Sequence, residues 1–202
     1  MRRGKQTNHI VFGEATAMLA GDALLTSAFE ILTQTQAPAQ MIVEAVRCLS
    51  NAAGSTGMIG GQVMDMDNED NKGELTEDKL IKLHAMKTGA MICASVQLGC
   101  LAAGILPSDP RCLDLISYAD SIGIAFQVVD DMLDVIGDEK DLGKPIGSDE
   151  ENHKTTFLSF YSLEDAFEYA KVLTNKAVAT IEEYENSETL RELAEYLLNR
   201  KK

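Results

Sequence analysis

Residues 123–134 read Gly-Ile-Ala-Phe-Gln-Val-Val-Asp-Asp-Met-Leu-Asp, and this stretch decides how the rest of the chain is read. Positions 122–129 are uncharged and mostly apolar, which describes a buried helix. Three carboxylates, Asp130, Asp131 and Asp134, follow at its end. On a helix, residues four apart share a face, so Asp130 and Asp134 point the same way. An isolated Asp-Asp-x-x-Asp also describes a solvated helix face. Here the acids leave an apolar wall, where an ionised carboxylate is costly unless paired or bound to a cation. Magnesium suits such a group, because it takes carboxylate oxygens together with substrate phosphate oxygens.

The surrounding composition is that of an all-α protein. Hydrophobic residues make up 45% of the 202, aromatics only 5%, and Pro occurs four times. Leu, Ala, Met, Glu and Lys dominate, and these are helix formers. The length suffices for one substantial core, and no composition break divides residues 1–202 into two domains. A net charge of −14 argues against nucleic acid or an anionic membrane surface as partner. An anionic substrate must therefore be met locally, by metal and a few placed cations. Cys48, Cys93, Cys100 and Cys112 form no Cys-x-x-Cys pair and lack zinc spacing, and Cys93 and Cys100 read as small buried hydrophobes. No signal peptide, transit peptide or membrane span is visible, so a reduced cytoplasmic setting is expected.

Along the chain nearly every segment predicts helix. One helix is expected over Phe12 to Gln34 and a second from Pro38 to about Ala53. Gly54, Gly57, Gly60 and Gly61 weaken the next segment but allow close approach of a backbone or ligand. Asn68 to Gly73 reads as a polar loop. Thr76 is placed to cap a long helix reaching about Gly104, and Asp109-Pro110 starts the helix that carries the aspartates and ends at Gly137. Residues 138–155 form a long charged segment of the kind that often serves as a lid. Ser162 resembles a capping-box residue for a helix to about Glu185, and Ser187 should cap a last short helix.

Other residues carry alternatives. Lys87, in Lys-Thr-Gly at 87–89, interrupts an apolar helix; it either snorkels or meets an anion. Gln127 lies on nearly the same helical face as Asp130, as a ligand for a substrate oxygen or as a satisfied core amide. Lys144 is a phosphate-binding point charge or a solvated loop lysine. Arg2 and Arg3 belong to a short basic cluster that ordinarily frays. Asp22 is a supporting partner for the site or a helix-contact hydrogen bonder. Together, carboxylates, lysines and a glutamine beside apolar walls suit ionisation of a diphosphate ester.

These motifs resemble the trans-prenyltransferases, or polyprenyl synthetases, and within them the bacterial farnesyl diphosphate synthases. The resemblance covers essentially all 202 residues. It rests on Arg-Arg-Gly-Lys-Gln-Thr-Asn-His at 2–9, Leu-Ala-Gly-Asp-Ala-Leu-Leu at 19–25, Gly-Gly-Gln-Val-Met-Asp-Met at 60–66, Lys-Thr-Gly at 87–89, the 123–134 stretch and Asp-Leu-Gly-Lys-Pro-Ile-Gly-Ser-Asp at 141–149. It implies an isoprenoid-synthase-type antiparallel helical bundle around a central apolar cavity, built as a homodimer. It also implies head-to-tail condensation of isopentenyl diphosphate with an allylic diphosphate, dimethylallyl or geranyl, to farnesyl diphosphate. By motif position, Asp130, Asp131 and Asp134 would hold magnesium, or manganese in its place. Lys87 and Lys144 would bind the allylic diphosphate, and Thr88 and Gln127 would line the reacting centre. Arg2 would face the allylic diphosphate, Arg3 the isopentenyl diphosphate, and Phe126 would pack near the isopentenyl group.

The departures set further expectations. The family's first aspartate-rich motif and a more N-terminal Gly-Gly-Lys-Arg segment are absent, so the chain reads as the C-terminal two-thirds of a polyprenyl synthetase domain. Met18, Leu25 and Met91 should then expose an apolar patch, and the chain alone should be a poor catalyst. Two other functions compete. A non-catalytic subunit of a heteromeric synthase would tend to lose the aspartates. A class I terpene cyclase would carry a different second metal motif.

Overall fold

The computed structural model describes residues 4–70, 75–136 and 154–200. These residues form nine α-helices and no strand. The helices are α1 (Asn8–Phe12), α2 (Glu14–Gln34), α3 (Ala39–Ala53), α4 (Met58–Asp70), α5 (Glu77–His84), α6 (Ala90–Ala102), α7 (Pro110–Ile136), α8 (Leu163–Ile181) and α9 (Glu188–Asn199). The all-α expectation is met.

Helix α7 is the axis of the fold. From Tyr118 to Asp134 most of its residues are buried, on every side of the helix, which explains its apolar sequence. Asp109 starts it: the Arg111 N–H donates to Asp109 Oδ1 at 2.9 Å. Helix α8 lies along α7 and buries Ala166, Ala170, Thr174, Ala177 and Ile181, a stripe at helical spacing. The small residues of that stripe let the two helices approach closely. One core cluster joins Val128, Val129, Met132 and Leu133 to Phe157, Ala166, Ala170 and Leu80; another joins Tyr118, Ala119 and Ile122 to Ala177, Ile181 and Ala194. The Asp165 N–H donates to Ser162 Oγ at 3.1 Å, so the predicted cap at the start of α8 forms.

Several expectations need correction. The helix expected over Phe12 to Gln34 begins two residues later, at Glu14, after Gly13, whose φ of 83° separates it from the short α1. Residues Asn68 to Asp70 continue α4 rather than forming a loop, because Asn68 is buried and its amide donates to the Thr155 carbonyl at 3.5 Å. Thr76 and Ser187 occupy N-cap positions but make no side-chain cap bond; Ser187 has helical φ and ψ, which turns its hydroxyl away from the free N–H groups. Asp22 is exposed on α2. Cys48, Cys100 and Cys112 are buried, but the half-buried Cys93 is more than a small hydrophobe, since its thiol donates to Asp120 at 2.9 Å.

No residue of α2 is buried. Met18 and Leu25 are exposed as expected, 69% and 40%, and Leu24 reaches 72%. Met91 is only partly exposed. The sequence predicts no membrane span, yet three helical stretches among the described residues, Glu14–Gln34, Glu77–Ala102 and Pro110–Ile136, are long and apolar enough to cross a membrane by length and composition alone. For α7 half of that apolar window is spent on the core.

Candidate active site

The site begins where the helical ladder between α5 and α6 is disturbed. Ala85–Gly89 forms a π-helical turn, a local widening that re-aims side chains and is frequent at functional sites. Two glycines bring backbones against it. A Cβ at Gly61 would stand 2.2 Å from the Lys87 backbone nitrogen, so α4 touches the turn through bare backbone. A Cβ at Gly123 would stand 3.2 Å from the Gly89 Cα, so α7 also comes in close. The close approach expected of the glycines after residue 54 is thus realised at Gly61.

Lys87 leaves this turn toward α4. Its Nζ donates to Asp65 Oδ2 at 2.6 Å, and Lys154 Nζ reaches the same oxygen at 3.4 Å. Burial alone would raise the Asp65 carboxyl. The hydrogen bond and charge of Lys87, with Lys154, outweigh burial and hold it below its ordinary value. Lys87 therefore neither snorkels freely nor lies bare: it is a cation held in place by a buried carboxylate.

Thr88 leaves the same turn toward α7. Its hydroxyl donates to Gln127 Oε1 at 3.1 Å, and His84 Nδ1 lies 3.0 Å from the same oxygen. The His84 ring stacks on Phe157, centroids 5.4 Å apart and 17° from parallel. Burial pushes His84 down to about 4, against smaller opposing effects of the Gln127 hydrogen bond and nearby Asp65, so the ring is neutral at pH 7.

The three aspartates are not equivalent. Asp130 is the open one, its side chain 47% exposed, and Arg200 Nη2 donates to its Oδ1 at 3.1 Å. The same guanidinium lies 3.8 Å over the Phe126 ring and donates to the Phe126 carbonyl at 3.0 Å. Asp131 is buried and accepts the Phe157 backbone N–H at 2.8 Å, fastening the segment ahead of α8 onto α7. Asp134 is 2% exposed. Among the described residues no three His, Cys, Asp or Glu side chains converge as a metal cluster. Magnesium, however, needs only one or two protein carboxylates when substrate phosphates complete its shell. Asp130, half exposed, fits that use once a metal displaces the Arg200 guanidinium from its Oδ1.

The structure therefore brings Lys87, Thr88, Gln127, Phe126 and Asp130 into one region, linked through the π turn and the inner face of α7. Arg2, Arg3 and Lys144 lie outside the described residues. Sequence reasoning missed Asp65, His84 and Arg200 as participants. Asp65 lay inside the quoted 60–66 motif, and His84 precedes Thr88 by one helical turn, so both carried a signal. Arg200, near the end of the chain, carried none. A cavity of about 430 Å³ opens between α3 and α6, lined by Arg47, Asn51, Thr56, Cys93 and Gln97 among others, away from Lys87, Gln127 and Asp130.

The family model for polyprenyl synthetase matches residues 1–197, and the chain belongs to that family. A geranylgeranyl diphosphate synthase of Cyanophora paradoxa is 41% identical over 202 residues, covering 98% of this chain and 66% of the relative. The farnesyl diphosphate synthase of Escherichia coli is 41% identical over 210 residues, covering all of this chain and 69% of the relative. Among solved structures, a farnesyl and geranylfarnesyl diphosphate (FPP/GFPP) synthase of Zymomonas mobilis matches with TM-score 0.85 at 33% identity, over 98% of this chain and 66% of the other. A Helicobacter pylori geranyltransferase, solved with magnesium and isoprenyl diphosphate, matches with TM-score 0.81 at 34% identity, over 98% and 63%. The chain spans about two-thirds of the length of the relatives it matches.

Proposed function

We propose that the chain, a single domain over residues 1–202, carries the diphosphate-ionising site of a prenyl-chain-elongating transferase. Isopentenyl diphosphate adds to dimethylallyl or geranyl diphosphate: the allylic C–O bond breaks, diphosphate leaves, the isopentenyl alkene forms the new C–C bond, and a proton is lost. Farnesyl diphosphate is the product proposed. The observation that carries this reading is the 3.1 Å Thr88–Gln127 hydrogen bond, because it ties the turn that presents Lys87 to the helix that presents Asp130. An anchored cation on the turn and a half-exposed carboxylate on the helix tied to it are what a metal-bound diphosphate requires, with the Arg200 guanidinium giving way at Asp130 Oδ1.

Each residue has a part. Lys87, held by Asp65, meets the allylic diphosphate as a point charge. The Gln127 amide orients an oxygen of the substrate, and the Thr88 hydroxyl holds that amide. Asp130, and with it Asp131 and Asp134, holds magnesium, or manganese, directly or through water. The bound metal supplies positive charge to the departing diphosphate. Phe126, Arg2, Arg3 and Lys144 complete the two substrate sites by motif position. A homodimer is proposed, with the exposed apolar face of α2 as support. Four free cysteines support a reduced, cytoplasmic setting.

The test is incorporation of labelled isopentenyl diphosphate with dimethylallyl or geranyl diphosphate and magnesium, beside calorimetric titration of geranyl diphosphate. Expected are magnesium-dependent binding and slow, magnesium-dependent product formation, as befits a chain that alone is a poor catalyst, with Asp130→Asn lowering that turnover roughly 100-fold further. Binding indifferent to magnesium and to Asp130 would end this reading.

A further inference from the structure

We propose that His84 is a positioning residue for Gln127: its Nδ1–H and the Thr88 hydroxyl together hold the amide oxygen, so that Gln127 presents its N–H pair beside Asp130. The inference rests on the proposed function, which places Gln127 at the substrate.

The argument starts from spacing. His84 and Thr88 are four apart, on one side of the α5–π segment, and both reach the same atom of α7, Gln127 Oε1, at 3.0 and 3.1 Å. An amide oxygen only accepts, and it has two lone pairs. Two donors therefore saturate it, and a neutral His84 must carry its proton on Nδ1. The reversed amide would turn its carbonyl toward the face that carries Asp130, one helical turn on, and set two electronegative oxygens against each other and against an anionic substrate. With the oxygen held inward, both amide N–H bonds remain for a substrate oxygen.

Other contacts agree. His84 Nε2 is buried and has no hydrogen-bond partner among the described residues. A bare lone pair there is milder than an orphaned N–H, which proteins rarely tolerate. This favours the Nδ1–H tautomer and disfavours the imidazolium, in keeping with a ring held down to about 4. The ring plane is not free to turn. It stacks on Phe157, which is fully buried and whose own N–H is bound by Asp131. The core thus sets the histidine, and the histidine sets the amide.

Two variants separate packing from the hydrogen bond. His84→Phe keeps an aromatic ring on Phe157 and removes the donor. His84→Asn gives up the ring but places an amide N–H near the position of Nδ1. His84→Phe should lower kcat for isopentenyl incorporation roughly tenfold with little change in KM, whereas His84→Asn should stay within about threefold of the parent chain. In a Gln127→Leu background, His84→Phe should cost nothing further. Equal losses in both variants, full turnover in His84→Phe, or additive losses would overturn the proposal.

A second measurement needs no turnover. Long-range proton–nitrogen spectra of the full chain with labelled histidine, with His84 identified by its loss in His84→Asn, should show the neutral Nδ1–H tautomer. An Nε2–H tautomer would overturn the positioning role whatever the activity. An Nδ1–H tautomer in a chain that neither binds nor turns over geranyl diphosphate would count against the proposed function and leave the amide lock standing.

Discussion

The ammonium of Lys87 lies 2.6 Å from the carboxylate of Asp65, a salt bridge between the π turn and α4 in which the carboxylate is only 10% exposed. The lysine is delivered to the site already ordered, so a diphosphate meets a fixed charge and not a floppy one. Asp65→Asn should release it. The expected result is a several-fold rise in KM for the allylic diphosphate, read by steady-state kinetics. The Asp65 carboxyl is held below its ordinary value in the folded chain. Its stabilising effect is therefore fully present above the unfolded value of about 3.9 and is lost as pH falls through the lower folded value. Melting temperatures of parent and Asp65→Asn should converge in that acid range.

Neighbouring aspartates should behave differently. Asp130 is open to the site, and Asp131 is spent on the Phe157 N–H. Asp130→Asn should abolish most magnesium-dependent turnover while changing the melting temperature little. Asp131→Ala leaves a buried N–H without its acceptor and should destabilise by about 1–3 kcal/mol. Thermal scans and assays on both variants check the contrast; equal effects in both would refute it.

His84 gives the chain an acid sensitivity. Its folded value is about 4, lowered chiefly by burial, with Asp65, Lys87 and Asp130 as the charges around it. Between that value and the unfolded one of about 6.5, only the unfolded chain takes up the proton, so stability falls as pH falls across the window. The loss is at most roughly 3 kcal/mol. Urea unfolding at a series of pH values should show it, and His84→Asn should flatten it.

Gly61→Ala tests the close approach of α4. The added Cβ would sit 2.2 Å from the Lys87 nitrogen, which is backbone and cannot swing aside. A destabilisation of about 3 kcal/mol or more is expected from chemical unfolding, with loss of diphosphate binding alongside.

What the sequence determined by itself was the all-α class, most of the long helices and the identity of the acidic helix. Helical periodicity and the Asp109-Pro110 start are local, so α7 could be read from its start and α3 from Pro38 onward. Lys87, Gln127 and Asp130 could be named as well, because a charge or amide inside an apolar run is costly and so conspicuous; Thr88 was named only by its place in a family motif. Which of them touch was decided only by tertiary structure. The π turn, the bare backbones at Gly61 and Gly123, and the burial of His84 against Phe157 depend on residues far apart in the chain. So does the division of labour between Asp130 and Asp131: one helix periodicity describes both, but only the segment ahead of α8, packed onto α7, takes one carboxylate for its backbone and leaves the other facing the site.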